Sequence, residues 1–214
     1  MNLRLTEVVK NLLIINALMF FGTRMWQPIV NSYNQYVDNQ LGHDWLALWI
    51  PGHDFFQPFQ LVSHMFMHAD FQHLFFNMLM LFFFGPPLEA LFGSKRFLFY
   101  YLACGFGALV LHLAVGFIEI AYFNGNSNIA MLGASGAIMG VVAGFGLKFP
   151  NQPVSLLFLP IQFKAIYMAL GLISIDVLMG LGTFNSNVAH FAHLGGAITG
   201  FLMIEYWGKF GNKF

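Results

Sequence analysis

Residues 131–140 read MLGASGAIMG, a stretch in which one hydroxyl, Ser135, stands among small and apolar residues, with Gly133 and Gly136 on either side of Ala134-Ser135. Such a stretch has no polar face to turn toward water. The same character extends outward in both directions. Of 214 residues, 58% are hydrophobic and 8% charged, against about a quarter charged in an ordinary soluble domain. Mean hydropathy is +0.67, and the apolar residues fall in runs close to the ~20 residues that a spanning helix needs. The composition therefore predicts one all-α, multi-span membrane domain over residues 1–214, with no separate soluble domain.

Six helices are expected, at about 9–26, 71–92, 97–121, 129–147, 165–182 and 188–207. Residues 27–70, between the first two, are too polar to span and too apolar for a plain linker. Within them DWLALWIPG, with Trp45 and Trp49, reads as an interfacial element at headgroup level. Residues 1–22 look like a signal sequence but lack a small-x-small cleavage site, so they are read as a retained first helix. Arg4, Lys10, Lys95, Arg96, Lys148, Lys164, Lys209 and Lys213 flank one side of this arrangement, and Arg24 alone the other. Basic residues mark the cytoplasmic side, so both termini are expected there and residues 27–70 outside. A formal net charge of zero offers no basic patch for nucleic acid. The single cysteine, Cys104, excludes an internal disulfide or a CxxC motif.

Orientation converts sequence position into depth, at about 1.5 Å per helical residue. A fourth helix entering near residue 129 puts Ser135 roughly 9 Å below its outer end. His193, in a sixth helix entering near 188, falls at nearly the same level. His73 and Asn77 lie in the first two turns of the second helix, four apart and so on one face. Each alone has a packing explanation. The serine can bond back to a carbonyl one turn earlier, and the histidines and asparagine can tie helices together. Polar groups gathered at one depth from three helices favour a functional cavity instead. Gly136/Gly140 and Gly196/Gly200 are GxxxG pairs, which let two backbones approach closely. That approach brings Ser135 Oγ within reach of a His193 ring nitrogen, as base activation of a serine requires. His73, Asn77 and the Ser135 amide are the candidate donors to an oxyanion.

These residues carry a resemblance to the rhomboid intramembrane serine proteases, over nearly the whole chain. HMFMHADFQHLFFN (64–77) resembles the family's second-helix pattern ending in HxxxN, and GPPLE (85–89) resembles GxxLE. GASG (133–136) matches GxSG, and AHLGGAITG (192–200) matches AHxxGxxxG. The resemblance implies a six-transmembrane-helix rhomboid-like bundle, Ser135 as nucleophile and His193 as general base and acid, in a dyad without an acidic third member. It implies an oxyanion hole of His73, Asn77 and the Ser135 amide, with Gly133, Gly136, Gly140, Gly196 and Gly200 packing near the site. It implies transmembrane protein substrates cut near their outer ends, a lipid bilayer around the protein, and no metal or cofactor. The fifth helix resembles the family's lateral gate.

Two positions depart from the family pattern. Phe59-Gln60 stands where many members carry Trp-Arg, which bears on how the first loop is anchored. Met139 stands four residues after the serine, where an aromatic often supports the histidine, though a thioether also packs on an imidazole ring. His64 and His68 are assigned a structural or capping role. His190 falls outside the catalytic pattern; Asp176 is a candidate to orient His193, but nothing in the sequence places it on the face of the site. Two alternatives stand beside the protease: a catalytically silent client-binding relative, and a membrane metal oxidoreductase using His64, His68, His73, His190 and His193. A channel or transporter is disfavoured by the lack of an inverted repeat. A bacterial inner membrane, with the site facing outward, is the expected location.

Overall fold

The computed structural model describes residues 4–33, 45–123, 130–155, 162–182 and 188–210. Among them the long helices are α1 (Glu7–Tyr33), α3 (Phe71–Phe92), α4 (Ser94–Phe123), α5 (Ser135–Lys148), α6 (Ala165–Gly182) and α7 (Val188–Phe210). A single helical turn, α2 (Gln60–Ser63), runs into a 3-10 turn at His64–Phe66. Glu7–Met25, Phe71–Phe92 and Ser94–Phe123 are long and apolar enough to cross a membrane. On α4 the inward face (Tyr100, Tyr101, Cys104, Ala108) is buried, and the outward face (Phe99, Phe106, Val110, Phe117) is exposed and equally apolar. A water-facing helix would be polar there, so this outer surface suits hydrocarbon.

Close backbone approach sets the centre of the bundle. α4 and α7 lie side by side, and α5 packs across both. A Cβ added at Gly140 would come 2.9 Å from the carbonyl oxygen of Gly196, and one at Gly200 would come 2.9 Å from that of Gly140. The two GxxxG pairs therefore face each other across the α5–α7 contact. Tyr100 strengthens the junction by donating its hydroxyl to the Gly140 carbonyl at 2.7 Å.

Glu89, from the GPPLE stretch, joins the ends of three helices. Its carboxylate accepts the N–H groups of Val8 and Val9, both at 2.9 Å, and the Ser94 hydroxyl at 2.7 Å. A carboxylate is suited to the start of α1, where backbone N–H groups lack helical partners and the helix dipole is positive. Arg24 reaches across to the Ala69 carbonyl at 2.6 Å and lies over the Phe20 ring.

The second, fifth and sixth predicted helices begin where expected, while α1 runs on to Tyr33, α4 spans Ser94–Phe123 and α7 continues to Phe210. The fourth corrects the expectation. It begins at Ser135 and not at 129, because Gly133 has φ +124°, a conformation no right-handed helix contains. Met131 instead exchanges two backbone hydrogen bonds of 2.8 Å with Leu48, and Gly133 donates its N–H to the His64 carbonyl at 2.9 Å. Ser135 is thus the first residue of its helix, so descent along that helix does not set its depth. A second difference from an all-helical chain is a short antiparallel pair, β1 (Pro153–Ser155) with β2 (Gln162–Lys164), in which Val154 faces Phe163. Within the expected interfacial loop, residues 34–44 lie outside the described residues.

Candidate active site

A cavity of about 420 Å³ opens beside the start of α5, lined from α3 by His73, Phe76 and Asn77, from α5 by Ser135 and Met139, and from α7 by His193. Its described lining comes from α3, α5 and α7, with no residue of α6, the expected gate. The sequence-predicted polar residues therefore meet at one wall. His193 Nε2 lies 2.8 Å from Ser135 Oγ. The serine hydroxyl is directed at the imidazole and not back along its own helix.

The other imidazole nitrogen decides what Nε2 can do. His193 Nδ1 lies 3.0 Å from Asp176 Oδ1, and His190 Nδ1 lies 2.7 Å from the same oxygen. A carboxylate accepts, so each Nδ1 carries the proton and donates. His193 then presents the Nε2 lone pair to the Ser135 O–H. Here the structure corrects two expectations: an acidic side chain does stand behind the histidine, and His190 belongs to the same cluster. The sequence raised Asp176 as a candidate to orient His193 without placing it, and did not pair it with His190. The available signal was one carboxylate in the apolar α6 and two histidines three apart, which share a face of α7.

His73 is positioned by its own helix cap. Asp70 accepts the His73 N–H at 2.7 Å as the N-cap of α3, and the His73 Nδ1 accepts the Ala69 N–H at 3.3 Å. That bond assigns the ring proton to Nε2. A Cβ at Gly133 would lie 3.0 Å from this Nε2 and 3.4 Å from Ser135 Oγ, so the glycine keeps the space between them open. Asn77 gives one amide N–H to the His73 carbonyl at 2.9 Å. An amide carries two, and the second is not committed by that bond. Ala134, the N-cap of α5, has no capping side chain, so the first N–H groups of α5 point toward the cavity end without a side-chain acceptor.

Gln60 resolves how the loop is anchored without Trp-Arg. Its fully buried amide accepts from the Trp49 and Gln57 N–H groups at 3.3 and 3.1 Å. It donates to the carbonyls of Trp45 and Phe55, both at 2.9 Å. One side chain thus satisfies four backbone groups of the segment that precedes α3. His64 donates Nδ1–H to the Gln60 carbonyl at 2.8 Å, and burial holds its pKa down at about 4, a loss of solvation that this hydrogen bond only partly offsets. His68 packs edge-on against the His73 ring. Met139 is buried in a small apolar cluster with Ala143 and Ala197. Among the described residues, the side chains spaced to hold a metal ion are Asp176, His190 and His193; His64, His68 and His73 are not part of that group.

The site residues lie within a region that matches a known family. The family profile described as Rhomboid domain matches residues 56–210. The chain is 30% identical over 210 residues to the putative rhomboid protease YdcA of Bacillus subtilis, covering 94% of this chain and 88% of that protein. It is 32% identical over 152 residues to the rhomboid protease AarA of Providencia stuartii, covering 65% and 52%. It is 34% identical over 145 residues to RHOMBOID-like protein 4 of Arabidopsis thaliana, covering 67% and 32%. The chain therefore spans about half or less of the last two relatives.

Proposed function

This chain belongs to the rhomboid family, and from that premise we propose that it is an intramembrane serine endopeptidase that cuts membrane proteins in or near their transmembrane segments. It is an integral membrane protein, with apolar helices long enough to span. The observation that carries the reading is the 2.8 Å contact between Ser135 Oγ and His193 Nε2 at the wall of an open cavity. In the proposed reaction Oγ attacks the scissile carbonyl as its proton passes to Nε2. His193 then returns that proton to the leaving amine, and a water repeats the sequence to release the acyl group. The developing oxyanion is met by the Ser135 N–H, His73 Nε2–H and the second N–H of Asn77.

Helical backbone groups are already paired, so a substrate segment must unwind locally before its carbonyl can be attacked. Substrates with small or helix-breaking residues near their outer ends are therefore preferred, and leucines placed there slow cleavage. In this reading both termini lie in the cytoplasm and the cavity opens on the outer side of a bacterial plasma membrane; the basic residues that flank one side support that orientation. Residues 1–214 act as one membrane domain, and the reaction draws on no metal or cofactor.

Cleavage of a single-span substrate in liposomes by the intact chain, beside Ser135→Ala and His193→Ala, tests the reading. Loss of cleavage in both folded variants is expected. Cleavage that survives Ser135→Ala overturns it, and inactivity of the intact chain across several substrates favours client binding.

A further inference from the structure

We propose that Asp176 is a positioning residue for His193, selecting the imidazole tautomer that can take the serine proton, and that His190 holds the Asp176 carboxylate in place. This rests on the protease reading of the same site. α6 has the sequence AIYMALGLISIDVLMGLG, with Asp176 as its one carboxylate. A carboxylate in such a helix is costly unless its oxygens are hydrogen-bonded. Asp176 is 14% exposed at its side chain, and one oxygen receives both His190 Nδ1–H at 2.7 Å and His193 Nδ1–H at 3.0 Å.

The consequence is chemical. A neutral imidazole carries one N–H. With that proton on Nδ1, facing Asp176, the Nε2 lone pair faces the Ser135 hydroxyl at 2.8 Å. With the proton on Nε2, the ring has no lone pair there and cannot accept from serine. When Oγ bonds to the substrate carbonyl carbon, its proton moves to Nε2 and the ring becomes an imidazolium. Asp176 stays ionised throughout, and its charge faces the Nδ1–H of that cation. The proton leaves Nε2 for the departing amine, which restores the neutral ring and its tautomer. His190 enters from the same face of α7, three residues before His193, with its ring nearly perpendicular to that of His193 and 6.2 Å away. It is not among the residues lining the cavity, and its bond to Asp176 orients the carboxylate. The remaining titratable groups at the cavity, Asp70 and His73, stand across it on α3.

The test uses the full chain in liposomes, with folded protein counted by its resistance to limited proteolysis. Asp176→Asn keeps the shape but offers an amide that can donate to Nδ1 and stabilise the wrong tautomer. Its kcat is expected to fall by roughly 10²-fold, the lower end of what a positioned general base supplies, with KM little changed. Asp176→Glu restores part of the rate. His190→Ala gives a smaller loss, and His190→Gln, which again offers an N–H, recovers it. An Asp176→Asn enzyme within a few-fold of the intact chain overturns the proposal, as does a loss fully accounted for by a smaller folded fraction. Activity removed by a chelator and restored by zinc also overturns it, since the same three side chains would then be metal ligands. If the intact chain neither labels with a fluorophosphonate at Ser135 nor cleaves, the protease reading fails, and this proposal with it.

Discussion

Gly196 of α7 lies against the backbone carbonyl of Gly136 of α5 so closely that no side chain fits between the two helices. This contact lies next to Ser135 and one turn from His193, so the separation of serine and imidazole is set by glycine backbones in direct contact. Gly196→Ala must push the helices apart, at a cost of about 1–3 kcal/mol typical of overpacking. Thermal unfolding in detergent should show that loss, and substrate cleavage should fall at least tenfold. Gly208→Ala, whose added methyl meets nothing, should change neither.

Gly133→Ala separates geometry from stability in a different way. A left-handed backbone costs a non-glycine residue about 1–2 kcal/mol, and the new Cβ would sit 2.9 Å from the His73 ring. The α5–α7 contact is untouched, so the protein should stay folded while fluorophosphonate labelling of Ser135 slows. A labelling rate equal to that of the intact chain would contradict the place given to His73.

Gln60→Ala removes the four hydrogen bonds that hold Trp45, Trp49, Phe55 and Gln57. Leaving such groups unpaired costs about 1–3 kcal/mol for each that stays buried. Limited proteolysis is expected to cut within residues 45–60 in the variant and not in the intact chain. Gln60→Glu, which keeps the acceptors and loses the donors, should fall between them.

His64 gives the fold an acid limit. Its pKa is about 4 in the folded protein against an ordinary 6.5, since the buried ring is held neutral. The unfolded chain therefore binds the extra proton first, and its contribution to stability is fully present above pH 6.5 and is lost as pH falls toward 4. The gap sets an upper bound of about 3 kcal/mol. Thermal denaturation between pH 7 and 4 should show a steeper fall for the intact chain than for His64→Gln, whose amide can still donate to the Gln60 carbonyl.

How far the sequence reaches can be judged from single residues. The start of α3 at Phe71 was legible because Asp70 is a strong N-cap before an apolar run. The facing glycine pairs were legible because GxxxG is a local pattern with one mechanical meaning. The start of α5 was not, because apolar composition alone cannot reveal that Gly133 turns left-handed and that Met131 pairs with Leu48. Asp176 could be named as a candidate but not placed, for a related reason: which way a single carboxylate faces on a uniformly apolar helix depends on partners elsewhere in the chain. Gln60, likewise, looked like a departure from a family pattern, and its role became apparent only with the loop wrapped around it.

The bridge between Leu48 and Met131 and the bond from Gly133 to the His64 carbonyl also bear on the order of assembly. Helices that insert one after another can find their neighbours through contacts close in sequence, and such contacts form fast. The strand leading into Ser135 has no such local partner: it is held by a segment that emerged two long helices earlier. The path into the nucleophile is thus set by residues far away in the sequence and not by the helix that the nucleophile begins.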